Sequence, residues 1–187
     1  MTVDTLSPDD RAAEVRLLAL LDRLRIGHAL HRHAPIFTVE ESVAETAHLP
    51  GAHTKNLFLK AKDGALLLAT CFGHRRIRVA DLEKSVGAKR LSFGSSELLG
   101  EVLGVRPGSV TPLALMNDRA RRVRLILDAQ MMEMETLNFH PLHNAATVAL
   151  SRTGFLAFLG ETGHMPQEAD FDALEALAAE RAREKTG

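Results

Sequence analysis

A chain of 187 residues with 45% apolar content can bury one respectable core, so a single domain is expected. Its 23 basic and 24 acidic residues nearly cancel to a net charge of -1, which argues against a protein that coats long DNA but leaves room for local contact with one nucleic-acid end. No stretch approaches the ~18 apolar residues of a membrane span, the polar N-terminus is unlike a signal peptide, and the lone Cys71 cannot form an intrachain disulfide, so a cytoplasmic protein with an inert, buried thiol is expected.

Ser7-Pro8-Asp9-Asp10 predicts a helix start, with a serine cap, proline in the first turn and acids at the positive helix end. Val15, Leu18, Leu21 and Leu24 recur at helical spacing and Gly27 supplies a stop, giving a helix over about 8–26. The segment holding His28, His31 and His33 is taken as extended, and Thr38 with Glu41 forms a capping-box pair opening a second helix. Leu57–Ala61 and Ala65–Cys71 predict two strands joined at Asp63-Gly64 in a hairpin. Asp81–Val86 and Ser95–Leu103 predict helices ending at Gly87 and Gly104, with Leu91–Phe93 extended between them. Val123, Leu125 and Leu127 alternate as in a half-buried strand, and Ala145–Leu150 predicts another. Ser151 caps a helix carrying Phe155 and Phe158, and a solvated helix runs over about 170–186. Mixed strands and helices without repeat or linker predict one α+β domain over 1–187, with the two terminal helices as appendages.

Three constellations can carry chemistry. Lys55 and Asn56 stand just before a strongly apolar strand, at its mouth, where a lysine can hold an anion or stabilise developing negative charge; an ordinary solvated lysine is the competing reading. Arg106-Pro107-Gly108-Ser109-Val110-Thr111-Pro112 stiffens the backbone at both ends and frees it to approach a ligand at Gly108, or it is a plain turn. His140, His143 and Asn144 lie in a polar cluster that can supply donors to a pocket or tie down a long loop. The nine histidines show no HExxH, no matching carboxylate and no cysteine cluster, so no metal is expected. There is likewise no GxSxG elbow, P-loop or GxGxxG.

At these same places the chain resembles the YbaK/ProX aminoacyl-tRNA deacylases, relatives of the editing domain of bacterial prolyl-tRNA synthetases. The likeness runs in consistent order through His33–Glu41, Thr54–Leu59, Arg90–Phe93, Leu103–Pro112, Asn117-Asp118 and Phe139–Asn144 to Gly163-His164. It is strongest to the free-standing ProXp-ala/PrdX branch. The resemblance implies a compact YbaK-like domain, a mixed β-sheet surrounded by helices, that clears alanine from tRNA(Pro). It makes Lys55 the catalytic lysine, with Asn56, His140 and Asn144 as substrate-binding residues. Gly108 and Pro112 become the ends of a GxxxP loop, and Ser109, Val110 and Thr111 the residues between, lying along the terminal adenosine. It implies no cofactor, no membrane and no DNA, and as partners the tRNA(Pro) acceptor end and, transiently, prolyl-tRNA synthetase. Editing of serine, threonine or cysteine, and a non-catalytic tRNA- or synthetase-binding module, remain open alternatives. The basic run Gly73–Arg78 lies outside these motifs and is expected to bear only on tRNA contacts.

Overall fold

The computed structural model describes residues 6–36 and 39–184. Helix α1 (Pro8–Arg23) starts as its sequence dictates: Ser7 stays extended, its Oγ accepts the Asp10 N–H at 3.1 Å, and Pro8 occupies the first turn. The buried stripe differs from the expected one. Ala13, Glu14, Leu17 and Leu21 face inward, whereas Val15 is 59% exposed. A series advancing by threes from residue 15 to 24 drifts half-way round a helix of about 3.6 residues per turn, so it cannot mark one face. The helix also stops before Gly27. Arg25 takes the left-handed conformation, its N–H bonds the Asp22 carbonyl, and the Ile26 N–H bonds the Leu21 carbonyl, both at 2.9 Å. This is a Schellman closure, with Ile26 buried behind it.

The chain continues through β1 (His28–Arg32), α2 (Val39–Thr46), β2 (Ala52–Lys60), β3 (Leu66–Phe72), α3 (Val79–Val86), β4 (Ser92–Phe93) and α4 (Ser96–Leu103). A 3-10 turn (Pro112–Asn117) leads to β5 (Val123–Asp128), and a second (Met131–Glu133) to β6 (Thr136–Phe139). Then follow β7 (Ala146–Ser151), α5 (Arg152–Thr162), β8 (Gln167–Ala169) and α6 (Phe171–Glu184). Ser95 and Ser151 accept the Leu98 and Gly154 N–H groups as helix caps. The Thr38–Glu41 capping box lies outside the described residues because Thr38 does.

All eight strands join one mixed sheet in the order β1-β7-β6-β2-β3-β5-β8, with β4 against β2. The β2–β3 hairpin is antiparallel and sets Lys60 opposite Leu66, its turn closed by Ala61 N–H on the Ala65 carbonyl at 2.8 Å. The pairs β2–β6, β3–β5 and β5–β8 are parallel. Alternation sends successive side chains to two cores. Phe58, Leu68, Leu125 and Leu127 pack with Leu17, Leu21, Leu103, Phe155 and Phe158 on one face. Leu59, Leu67, Cys71 and Ile126 pack with Leu82, Phe171 and Leu174 on the other. Strand β5 is therefore covered on both faces, not half-buried, as parallel pairing on an inner strand requires. Both terminal helices supply core residues.

Candidate functional site

Strand β2 carries an opening in the sheet. One edge pairs with β3 from Thr54 to Lys60. On the other edge β6 holds only Ala52 and His53, and β4 holds only Leu59 and Lys60. The middle of β2 has no ladder partner there, and residues 53–57 are only half-buried although the strand lies inside the sheet. Thr54 Oγ1 on the Asn138 carbonyl at 2.8 Å and Gly94 N–H on the Phe58 carbonyl at 2.9 Å mark the two ends. Lys55 and Asn56 stand in this opening, within the strand rather than before it.

Asn56 ties the opening to the glycine–proline loop. Its Nδ2 donates to the Val110 carbonyl at 2.9 Å, while its Oδ1 accepts from the fully buried Thr70 hydroxyl at 2.8 Å. Within the loop, Ser109 N–H closes a turn on the Arg106 carbonyl at 2.9 Å, and exposed Gly108 has φ 88°, a conformation disfavoured for any residue with a Cβ. Thr111 is fully buried and its Oγ1 accepts the Leu113 N–H at 3.3 Å, so its hydroxyl caps the 3-10 turn that Pro112 begins. A Cβ on Gly108 would lie 3.9 Å from Asn144 Nδ2. That amide donates to the Ile36 carbonyl at 2.7 Å, and Ile36 N–H returns to the Asn144 carbonyl at 2.9 Å. Asn56, Val110, Gly108 and Asn144 thus form one continuous border.

Lys55, the neighbour of Asn56 in the strand, points to the opposite face. Its Nζ donates to the Arg75 carbonyl. Arg75 is itself 5% exposed: its guanidinium bonds buried Asp128 at 3.0 Å and Glu175 at 2.9 Å, pairs with Asp172, and lies 5.6 Å over the Phe72 ring. The run at 73–78 is therefore not a uniform basic surface for tRNA, because the Arg75 charge is neutralised by acids from β5 and α6. Nothing local in the sequence signals this, since Asp128, Asp172 and Glu175 all lie far along the chain. Cys71, opposite Lys55, is fully buried, and burial pushes its thiol up to about 12, so it stays protonated.

The two histidines of the third cluster part company. His143 is buried and its Nε2 meets Glu14 Oε2 at 2.7 Å; Glu14 also takes both Arg32 nitrogens, at 3.0 and 2.6 Å. Burial opposes the Glu14 charge, but Arg32 and His143 outweigh it and hold the carboxyl below its ordinary range. This cross-tie joins α1, β1 and the segment after β6, and no pattern in the sequence marks the acid on α1 as buried. His140 is half-buried, with Nδ1 at 3.3 Å from the Ala146 carbonyl. Only a donating Nδ1 suits that contact, which leaves Nε2 as an acceptor. Burial, aided by nearby His33 and His143, pushes its imidazole down to about 4 against the Ala146 hydrogen bond. His33 is engaged with Thr147 Oγ1 at 2.9 Å. Among the described residues no three histidine, cysteine or acidic side chains gather as a metal-holding group, and no helix is long and apolar enough to cross a membrane.

The His140 environment carries a stability prediction. Its folded value lies below the ordinary 6.5, so the unfolded chain takes up a proton between 6.5 and about 4 that the folded ring refuses. The contribution is complete above 6.5 and is lost as pH falls towards about 4. Urea midpoints measured across this window are expected to decline, and His140→Gln to flatten the decline. An unchanged slope in the variant would assign the acid sensitivity elsewhere.

The family model described as "Aminoacyl-tRNA editing domain" matches residues 33–158, a span that includes Lys55, Asn56, the 108–112 loop, His140 and Asn144. A relative from Xenopus laevis, prolyl-tRNA synthetase associated domain-containing protein 1, is 42% identical over 161 residues, covering 83% of this chain and 95% of that protein. The prolyl-tRNA editing protein ProX of Acetoanaerobium sticklandii is 32% identical over 143 residues, covering 76% and 87%. In fold, a solved structure of a candidate trans-editing enzyme for prolyl tRNA synthetase superposes with a TM-score of 0.64 at 18% identity, covering 89% of this chain and 99% of that one. With the mixed sheet and its helices matching that fold, and the matched span enclosing the whole opening beside β2, the chain belongs to the aminoacyl-tRNA editing domain family.

Proposed function

We propose that this protein hydrolyses mischarged Ala-tRNA(Pro) in trans and spares Pro-tRNA(Pro), with the tRNA acceptor end as its partner and prolyl-tRNA synthetase as a transient one. The observation that carries this reading is the opening in β2, where Asn56 pins the Gly108–Pro112 loop beside Asn144 inside the editing-domain span. The naming of relatives for prolyl-tRNA editing and prolyl-tRNA synthetase association points the same way. A synthetase pocket built for proline cannot strongly reject the smaller alanine, because missing methylenes are worth only ~1–3 kcal/mol each. A second site that admits alanine and excludes proline by size completes a double sieve. An aminoacyl ester is already activated, so positioning, oxyanion stabilisation and a water suffice without a covalent nucleophile. Backbone groups at 108–110 hold the terminal ribose, and Lys55 reaches the charged end through the gap in the sheet.

One contact favours a second reading, a non-catalytic tRNA- or synthetase-binding module: the Lys55 ammonium is engaged by the Arg75 carbonyl. A deacylation panel over mischarged tRNAs separates the two. Release of alanine from Ala-tRNA(Pro) with Pro-tRNA(Pro) largely intact is the expected result. Equal rates on both would sink the size sieve, preferred release of serine, threonine or cysteine would reassign the specificity, and no release from any substrate would favour the binding module.

A further inference from the structure

We propose that a groove along α1 carries the sugar–phosphate backbone of the RNA substrate through Arg16, Arg119 and Arg121, an inference that rests on the tRNA reading above. A cleft of about 580 Å³ lies between α1, the segment around the Pro112–Asn117 turn, and the end of α5. Four arginines and two acids line it, and both acids are spoken for. Glu161 pairs with Arg23 at 2.8 Å. Asp118 is 3% exposed and turns inward, accepting the Arg122 and Val123 N–H groups at 3.0 and 2.8 Å and facing His164 Nε2 at 3.2 Å. Arg16, Arg119 and Arg121 are exposed, and their guanidinium groups have no hydrogen bond or ion pair among the described residues. Three guanidinium groups therefore stand without a carboxylate partner, and the lining carries a formal charge of +2, four arginines against two acids, in a chain whose net charge is -1.

The cleft is built rather than incidental. Arg121 takes a left-handed backbone with φ 52° and lays its guanidinium across Gly163, where a Cβ would come within 2.5 Å of Cζ. A neighbouring cleft extends from Arg16 towards the candidate site. It measures about 460 Å³ and reaches Val105, Arg106 and Leu142, two residues short of Gly108 and Asn144 in sequence. Asp9 and Asp10 also line it, Asp10 paired with Arg106, so its only unpaired cation among the described residues is Arg16. The α1 flank from Asp9 to Arg23 spans about 21 Å at 1.5 Å per residue. Unpaired guanidinium groups supplied separately by α1 and by the 119–121 segment suit successive phosphates better than one small anion, and their forks match phosphate oxygens. The loop would then hold the terminal nucleotide, while the groove holds the strand leading to it.

The test compares wild type with the combined variant Arg16→Gln, Arg119→Gln, Arg121→Gln. Binding of uncharged tRNA, which needs no catalysis, is expected to weaken at least 10-fold near physiological salt. Its log–log salt slope should become shallower by about 2–3, roughly one for each phosphate no longer neutralised. Hydrolysis of full-length mischarged tRNA should suffer in KM rather than kcat, and the defect should vanish on a short aminoacylated fragment ending in CCA. Unchanged affinity and salt slope would overturn the groove, as would an equal defect on the short fragment. Arg16→Glu alone, on an exposed helix flank, must also weaken tRNA binding, so the proposal stays exposed even if the combined variant fails to fold. Wild type that binds tRNA through these arginines yet releases no amino acid would remove the editing reading and leave the groove standing.

Discussion

Lys55→Ala is expected to cut deacylation of Ala-tRNA(Pro) at least ~10²-fold, the loss typical of a donor aimed at developing negative charge. Lys55 is half-buried in the stretch of β2 that lacks a partner on one edge, which makes it the cation nearest the Asn56–Val110 junction along the strand. Its ammonium bonds the Arg75 carbonyl, and substrate contact must replace that bond. The fold should survive the substitution, since the Leu57–Leu59 half of β2 and the Arg75–Asp128 pair hold the strand and its neighbour in place without the ammonium. Single-turnover rates together with a thermal melt check this. A near-normal rate would move the chemistry away from Lys55, and an unfolded variant would make the lysine structural.

What was legible in the sequence is what local chemistry decides. Ser7, Ser95 and Ser151 announce helix starts because a cap needs only a hydroxyl and an N–H three positions on. Asp63-Gly64 between two apolar runs marks the hairpin for the same reason. Features set by distant partners stayed hidden. Strands β6 and β8 have four and three residues, and Gln167-Glu168-Ala169 shows no apolar alternation; pairing with β5 makes it a strand. Arg25 ends α1 in a left-handed conformation that glycine usually supplies, and Glu14 is buried because Arg32 and His143 meet it from far along the chain. The site divides likewise. Residue pattern singled out Lys55, Asn56 and the glycine–proline loop and family resemblance gave them roles, but strand alternation, which sends the first two to opposite faces, became readable only once β2 was known to begin at Ala52. The groove arginines were invisible, because nothing local distinguishes Arg119 and Arg121 from solvated surface charges.

Removing the vicinal hydroxyl from the terminal adenosine of Ala-tRNA(Pro) is expected to nearly abolish hydrolysis without abolishing binding. At the Asn56–Gly108–Asn144 patch the polar side chains of the described residues are already in use: both amide side chains are engaged, and the Thr111 hydroxyl is buried in its cap. The substrate then supplies part of its own catalysis. The ester sits on one ribose hydroxyl, and the neighbouring hydroxyl orients or activates the attacking water while backbone groups at Gly108, Ser109 and Val110 hold the sugar. Replacing Gly108 by valine should impair both binding and rate, since a β-branched side chain would fill the space above an exposed backbone and is itself strained at φ 88°. Gly108→Asn weights the comparison towards volume, because asparagine is penalised less than valine at positive φ. The decisive measurement is the single-turnover rate on Ala-tRNA(Pro) ending in the deoxy sugar. A rate within a few-fold of the natural substrate would mean that a protein group is the base. His140 would then lead, because its imidazole, held down to about 4, is neutral at physiological pH and presents Nε2 as an acceptor while Nδ1 stays on the Ala146 carbonyl.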